Sequence, residues 1–115
     1  MAVTLYHNPR CSKSRQTLAL LEEKGISPNI VLYLETPPDQ KTLQTLLKQL
    51  GLSARELLRK GEQEYKDNHL KNPELDDDAL IKAMVQYPKL IERPIVVHNG
   101  QARIGRPPES VLEIL

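Results

Sequence analysis

The sequence predicts an α/β fold: a small mixed β-sheet with helices on both faces, in one domain spanning residues 1–115, with a helical insertion at about residues 37–90. Three features point to it. The chain opens as strand, loop, helix, strand, the order of a parallel-strand unit. Its middle is helical, with apolar residues recurring three and four positions apart. It closes on two short apolar strands joined by Asn99-Gly100, a strong two-residue hairpin signal, and then a last helix. A length of 115 residues suits one domain with an ordinary core.

The elements follow in order. Val3-Thr4-Leu5-Tyr6 reads as a short strand. His7 to Cys11 is a loop, in which Pro9 keeps Asn8 out of the helical region. A helix runs from Ser12 through Lys24, with Leu18 and Leu21 on its apolar face and Gly25 as its stop. Ile30 to Leu34 is apolar throughout and reads as a second strand buried on both faces. Thr36-Pro-Pro-Asp39 starts a helix whose Leu43, Leu46, Leu47 and Leu50 form one stripe, closed by Gly51. Ser53-Ala-Arg-Glu56 is a capping-box pattern opening a shorter helix with Leu57 and Leu58. Asn72-Pro73 and Asp76 to Asp78 lead into a helix with Leu80, Ile81, Met84 and Val85 inward, ended by Tyr87-Pro88. Pro94 to His98 is a strand, and Gln101 to Ile104 its antiparallel partner. Pro107-Pro108-Glu109 starts the final helix, Val111 to Leu115. Without the helical block, the arrangement is thioredoxin-like.

Composition excludes several function classes. Sixteen Lys and Arg against 15 Asp and Glu leave a net charge of +1, which argues against nucleic-acid binding by bulk charge. With no Trp and no Phe, an aromatic platform for stacking bases is hard to build. No apolar run approaches the ~20 residues of a membrane span. The opening residues lack a basic head followed by a long apolar stretch, so no secretory signal is expected. One cysteine makes no internal disulfide, and three scattered histidines do not fall at metal-ligand spacing. The expectation is a monomer of a reducing compartment, the cytoplasm, with no bound cofactor or metal.

Chemistry concentrates in His7-Asn8-Pro9-Arg10-Cys11-Ser12-Lys13-Ser14-Arg15. A cysteine reacts as its thiolate, and a free thiol titrates near ~8.5. Cys11 falls between a strand end and a helix start, where unpaired N–H groups and the positive end of the helix dipole favour an anion. Arg10, Lys13 and Arg15 add positive charge, and the hydroxyls of Ser12 and Ser14 offer hydrogen bonds. The alternative is a buried structural cysteine, which the polar, cationic surroundings disfavour. The same loop suits an oxyanion, bringing nucleophile and cradle together. It is not a cysteine-phosphatase loop, since the position six after the cysteine is Thr17 and not arginine. His7 is a candidate to accept or relay a proton, or equally to bond the loop backbone. Where a dithiol enzyme has its second cysteine, this chain has Ser14.

The chain resembles the glutathione- and glutaredoxin-coupled arsenate reductases. The matching blocks are His7-Asn8-Pro9-x-Cys11-x-x-Ser14-Arg15, Leu57-Leu58-Arg59-Lys60, Arg93-Pro94-Ile95-Val96-Val97 and Gly105-Arg106-Pro107, in the family's order along nearly the whole chain. The commoner loop in that family reads Cys-Gly-Thr-Ser-Arg, where this chain has Cys11-Ser12-Lys13-Ser14-Arg15. The resemblance implies a thioredoxin fold with a helical insertion, Cys11 as nucleophile, and Arg59, Arg93 and Arg106 converging on arsenate or a similar small oxyanion. It implies Pro94 as the fold's cis-proline. It also implies glutathione as co-substrate and a glutaredoxin as partner, because a lone thiol cannot complete the reduction. Two alternatives share the fold: a thiol–disulfide or deglutathionylation enzyme, and a non-catalytic regulator that binds RNA polymerase.

Overall fold

The computed structural model describes residues 2–115. The described chain divides into two compact units. One consists of the residues up to Thr36 together with Arg93–Leu115, and the other of Pro37–Glu92.

The first unit is a four-stranded mixed sheet in the order β2-β1-β3-β4. Strand β1 is Val3–Tyr6, β2 is Asn29–Val31, β3 is Ile95–His98 and β4 is Gln101–Ile104. Strand β1 pairs with β2 in parallel and with β3 antiparallel, in a register that sets Tyr6 against both Val31 and Ile95. The hairpin between β3 and β4 turns on Asn99 and Gly100, with φ of 56° and 77°. Positive φ at both positions is what a two-residue turn matched to strand twist requires, and Asn-Gly meets it with little strain. Helix α1, Ser12–Glu23, returns the chain from β1 to β2. Val3, Leu5, Leu21, Val96, Val111 and Ile114 form the buried core, with Leu18, Leu20 and Ile26 packed against it.

The second unit is helical: α2 is Gln40–Leu50, α3 is Ala54–Leu57, α4 is Gln63–Asp67 and α5 is Asp77–Gln86. Three of these four helix starts, those of α2, α3 and α5, follow the capping rules. Asp39 accepts from the Thr42 N–H and Asp76 from the Ala79 N–H, and Ser53 with Glu56 closes a full capping box. Leu43, Leu46, Leu57, Leu80, Ile81 and Met84 are buried. Among the described residues no helix is long and apolar enough to cross a membrane.

Two sequence expectations are corrected. Strand β2 is three residues long and lies at the sheet edge, with Asn29 and Ile30 exposed, so the apolar run to Leu34 is not a strand buried on both faces. It pairs with β1 alone, and the chain turns from Leu32 onward, where the Glu35 N–H donates to the Leu32 carbonyl. The final segment is a 3-10 helix, Pro108–Ile114, in place of an α-helix. Helix α4 buries one residue, Tyr65, and so carries no apolar period that the sequence could signal.

Candidate active site

Cys11 is the N-cap of α1, with extended backbone (φ −94°, ψ 124°) and no side-chain cap. The loop before it folds on itself. The Cys11 N–H donates to the Asn8 carbonyl (3.0 Å), and the Arg10 N–H to Asn8 Oδ1 (3.0 Å). The Arg15 guanidinium donates to the Pro9 carbonyl (2.9 Å). Asn8 and Pro9 are thus the elements that shape the loop, a role the sequence signals through the Asn-Pro pair.

The sulfur sits among donors. Burial pushes the Cys11 thiol up. The Ser14 backbone N–H, the Arg93 guanidinium and the Lys13 backbone N–H together outweigh that, so its pKa lies below the ordinary value. Arg106 Nη2 donates to Cys11 Sγ at 3.5 Å, across 95 positions of sequence. Arg106 also donates from Nε to the Arg93 carbonyl (2.8 Å), which ties the two arginine segments together. The peptide bonds Arg93–Pro94 and Arg106–Pro107 are both cis.

The cationic support therefore comes from the far end of the chain. Of the loop's own charges, Arg15 is turned to the Pro9 carbonyl, and Lys13 acts on the sulfur through its backbone N–H. Ser14 likewise serves the sulfur through its N–H, not its hydroxyl as the sequence reading allowed. Its buried hydroxyl bonds His7 Nδ1 (2.7 Å) and accepts from the Asn8 N–H (3.0 Å). Ser12 is exposed on the first turn of α1. His7 is buried, and burial, followed by the Arg15 charge, lowers its pKa, so the imidazole is neutral near pH 7. Arg59 belongs to the helical unit, where it pairs with Glu92 (2.7 Å) and Glu62 (3.4 Å).

Gly105 holds the arginine segments close. Its N–H donates to the Pro94 carbonyl (2.9 Å), and a β-carbon there would overlap Thr17 Oγ1 and stand 2.8 Å from Pro94 Cγ. The sequence alone gives no sign of this contact. Among the described residues no cluster of His, Cys, Asp and Glu is able to hold a metal ion.

A helix start, a thiol held toward its anionic form and two guanidinium groups suit nucleophilic chemistry on a small oxyanion. A family model described as the ArsC family matches residues 6–114. The chain belongs to the ArsC family. It is 51% identical over 116 residues to an arsenate reductase of Haemophilus influenzae, covering 100% of both chains. It is 64% identical over 114 residues to the Escherichia coli K12 protein YfgD, covering 98% of this chain and 96% of that one. The structure of an arsenate reductase from Vibrio cholerae superposes with a TM-score of 0.98 at 59% identity, covering 100% of this chain and 98% of the other. The ArsC match begins at Tyr6 and so takes in the whole Cys11 loop, both arginine segments and Gly105.

Proposed function

We propose that this ArsC-family chain reduces arsenate to arsenite, with Cys11 as nucleophile and glutathione and a glutaredoxin as the source of electrons. The observation that carries the reading is the pairing of a lowered-pKa Cys11 with the guanidinium groups of Arg93 and Arg106. Arsenate reductases of about half-identical sequence, matched over the full chain, support the same substrate.

The chemistry balances as follows. The Cys11 thiolate attacks As(V), forming an S–As bond, and one arsenate oxygen leaves as water after taking up protons. Arg93 and Arg106 hold the remaining oxygens, whose charge persists through the displacement. A glutathione thiolate then attacks Cys11 Sγ. An S–S bond forms, the S–As bond breaks, and its electron pair stays on arsenic, which departs as arsenite. The Cys11–glutathione disulfide is reduced by the glutaredoxin, releasing the Cys11 thiolate. Ser14, standing where a second cysteine would act, makes the external thiol necessary. One cation is enough to hold a thiolate for disulfide exchange, whereas two guanidinium groups beside it also suit the oxygens of a small anion, which favours the oxyanion reading.

The test is arsenate-dependent oxidation of NADPH with glutathione, glutaredoxin and glutathione reductase, run beside a simple disulfide substrate. The wild-type chain is expected to turn over arsenate and Cys11→Ser to be silent. Equal rates for the two would remove the proposal. Turnover of the disulfide alone would assign the chain to general thiol exchange.

A further inference from the structure

We propose that the helical unit carries a binding site of its own, a cavity beside α4 that takes a nucleoside polyphosphate: a small molecule with several phosphate charges on a flat, partly apolar body. The cavity lies wholly within Pro37–Glu92, and the inference does not depend on the thiol chemistry proposed above.

The first argument is charge. The cavity has a volume of about 620 Å³, within the range of small-molecule sites. Lys60, Lys66, Lys71 and His69 line it, and among the described residues no carboxylate does. Composition does not dictate this. The stretch from Lys60 to Pro73 holds three lysines and three acids, Glu62, Glu64 and Asp67. Folding sorts them. Glu62 pairs with Arg59 (3.4 Å), and Asp67 accepts from Gln63 Nε2 (2.8 Å). The three lysines line the cavity instead and, among the described residues, make no ion pair. A cleft lined by one sign of charge concentrates ligands of the other.

The second argument is that the backbone bearing these cations is fixed. After α4 the chain turns at His69, which has a left-handed backbone (φ 54°), and the Leu70 N–H donates back to the Tyr65 carbonyl (3.0 Å). Lys66 stands before this turn and Lys71 after it. From α3, the Arg55 guanidinium donates to the carbonyls of Leu70 (2.8 Å) and Asn72 (2.9 Å). Tyr65 and Leu70 are both buried. A frame held in this way lowers the ordering cost of binding.

The third argument sets the class of ligand. Lysine ammonium groups are point charges that suit phosphate, and the forked guanidinium that pairs best with a carboxylate is absent from the lining. Several separated cations match several anionic groups. Tyr65, Pro73 and the lysine stems add apolar surface, which inorganic phosphate would leave unused. A long nucleic acid would run past the cavity over a chain whose net charge is only +1.

The test is calorimetric titration of the full chain with ATP, inorganic tripolyphosphate and adenosine, in the absence of arsenate and thiols. ATP is expected to bind saturably with a Kd below about 1 mM, tripolyphosphate more weakly, and adenosine more weakly still. Lys66→Ala and Lys71→Ala, both at exposed positions, are each expected to weaken ATP binding about two- to fivefold, as for an exposed ion pair. Lys24→Ala, an exposed lysine of the sheet unit, should leave it unchanged. Amide shifts on adding ATP, followed by NMR, should centre on Tyr65, Lys66 and Leu70 to Asn72. Absence of saturation, tripolyphosphate binding as tightly as ATP, an equal loss in Lys24→Ala, or shifts centred on the Cys11 loop would each overturn the assignment.

Discussion

Replacing Gly105 with alanine tests the packing that brings the two arginines to the sulfur. Gly105 does not use the left-handed backbone, so the obstacle to a side chain is steric. The new methyl would overlap Thr17 Oγ1, lie 2.8 Å from Pro94 Cγ and 3.4 Å from Thr17 Cβ. Neither neighbour yields easily. Thr17 is fully buried with its hydroxyl bonded to the Lys13 carbonyl (2.9 Å), and Pro94 is a buried ring. Overpacking of this kind destabilises by about 1–3 kcal/mol. Restricting the unfolded chain returns about 0.4–1 kcal/mol. The net expectation is a loss of about 1–2 kcal/mol, read as a lower urea midpoint at unchanged slope. Because Arg106 follows directly and Arg93 precedes Pro94, the same change should draw the guanidinium groups off Cys11 and raise the pH midpoint of its alkylation. Adding Thr17→Ala removes one of the two obstructions, so the double variant should recover part of the loss, with a coupling of about 0.5 kcal/mol or more. A Gly105→Ala protein at least as stable as wild type, with an unchanged alkylation profile, would refute this reasoning.

Two further outcomes follow from the site. Arg93→Ala removes a group that lowers the Cys11 pKa, so the alkylation midpoint should rise toward about 8.5, and a midpoint that stays or falls would reassign the thiolate's support to the helix start. His7 has its pKa lowered by burial and by Arg15, so the unfolded chain binds its proton more readily than the folded one. Its contribution is intact above about pH 6.5 and declines as the pH falls below that value. His7→Gln should therefore flatten the loss of stability between pH 7 and pH 5, measured by urea unfolding at each pH, and an undiminished slope would place the titration elsewhere.

Long periodic segments were legible in the sequence, and short ones were not. Leu43, Leu46 and Leu47 share one helical face and are all buried, as their spacing indicates. The capping box at Ser53 and the Asn99-Gly100 turn are local chemistry and stand where the residues put them. Ile30 to Leu34 misled because a short apolar run does not say whether it lies in the middle of a sheet or at its rim. Helix α4 offered one buried position, and the last segment is wound as 3-10 behind two prolines. At the site, Cys11 was legible from its loop, but its charged neighbours were not. Arg106 is 95 positions away, and only likeness to a family suggested that it and Arg93 belong near the thiol. The nearby cations were the more obvious choice, yet Arg15 is committed to the Pro9 carbonyl. Backbone donors such as the Ser14 N–H leave no trace in residue type at all.

The shortness of the two outer strands bears on crowding. β2 offers three residues along its open flank and β4 four, one of them Arg103. An intruding segment would gain only a few main-chain bonds there while giving up about 1–2 kcal/mol of freedom per residue it ordered. The sheet therefore resists lateral growth into aggregates although neither flank is capped by a barrel seam.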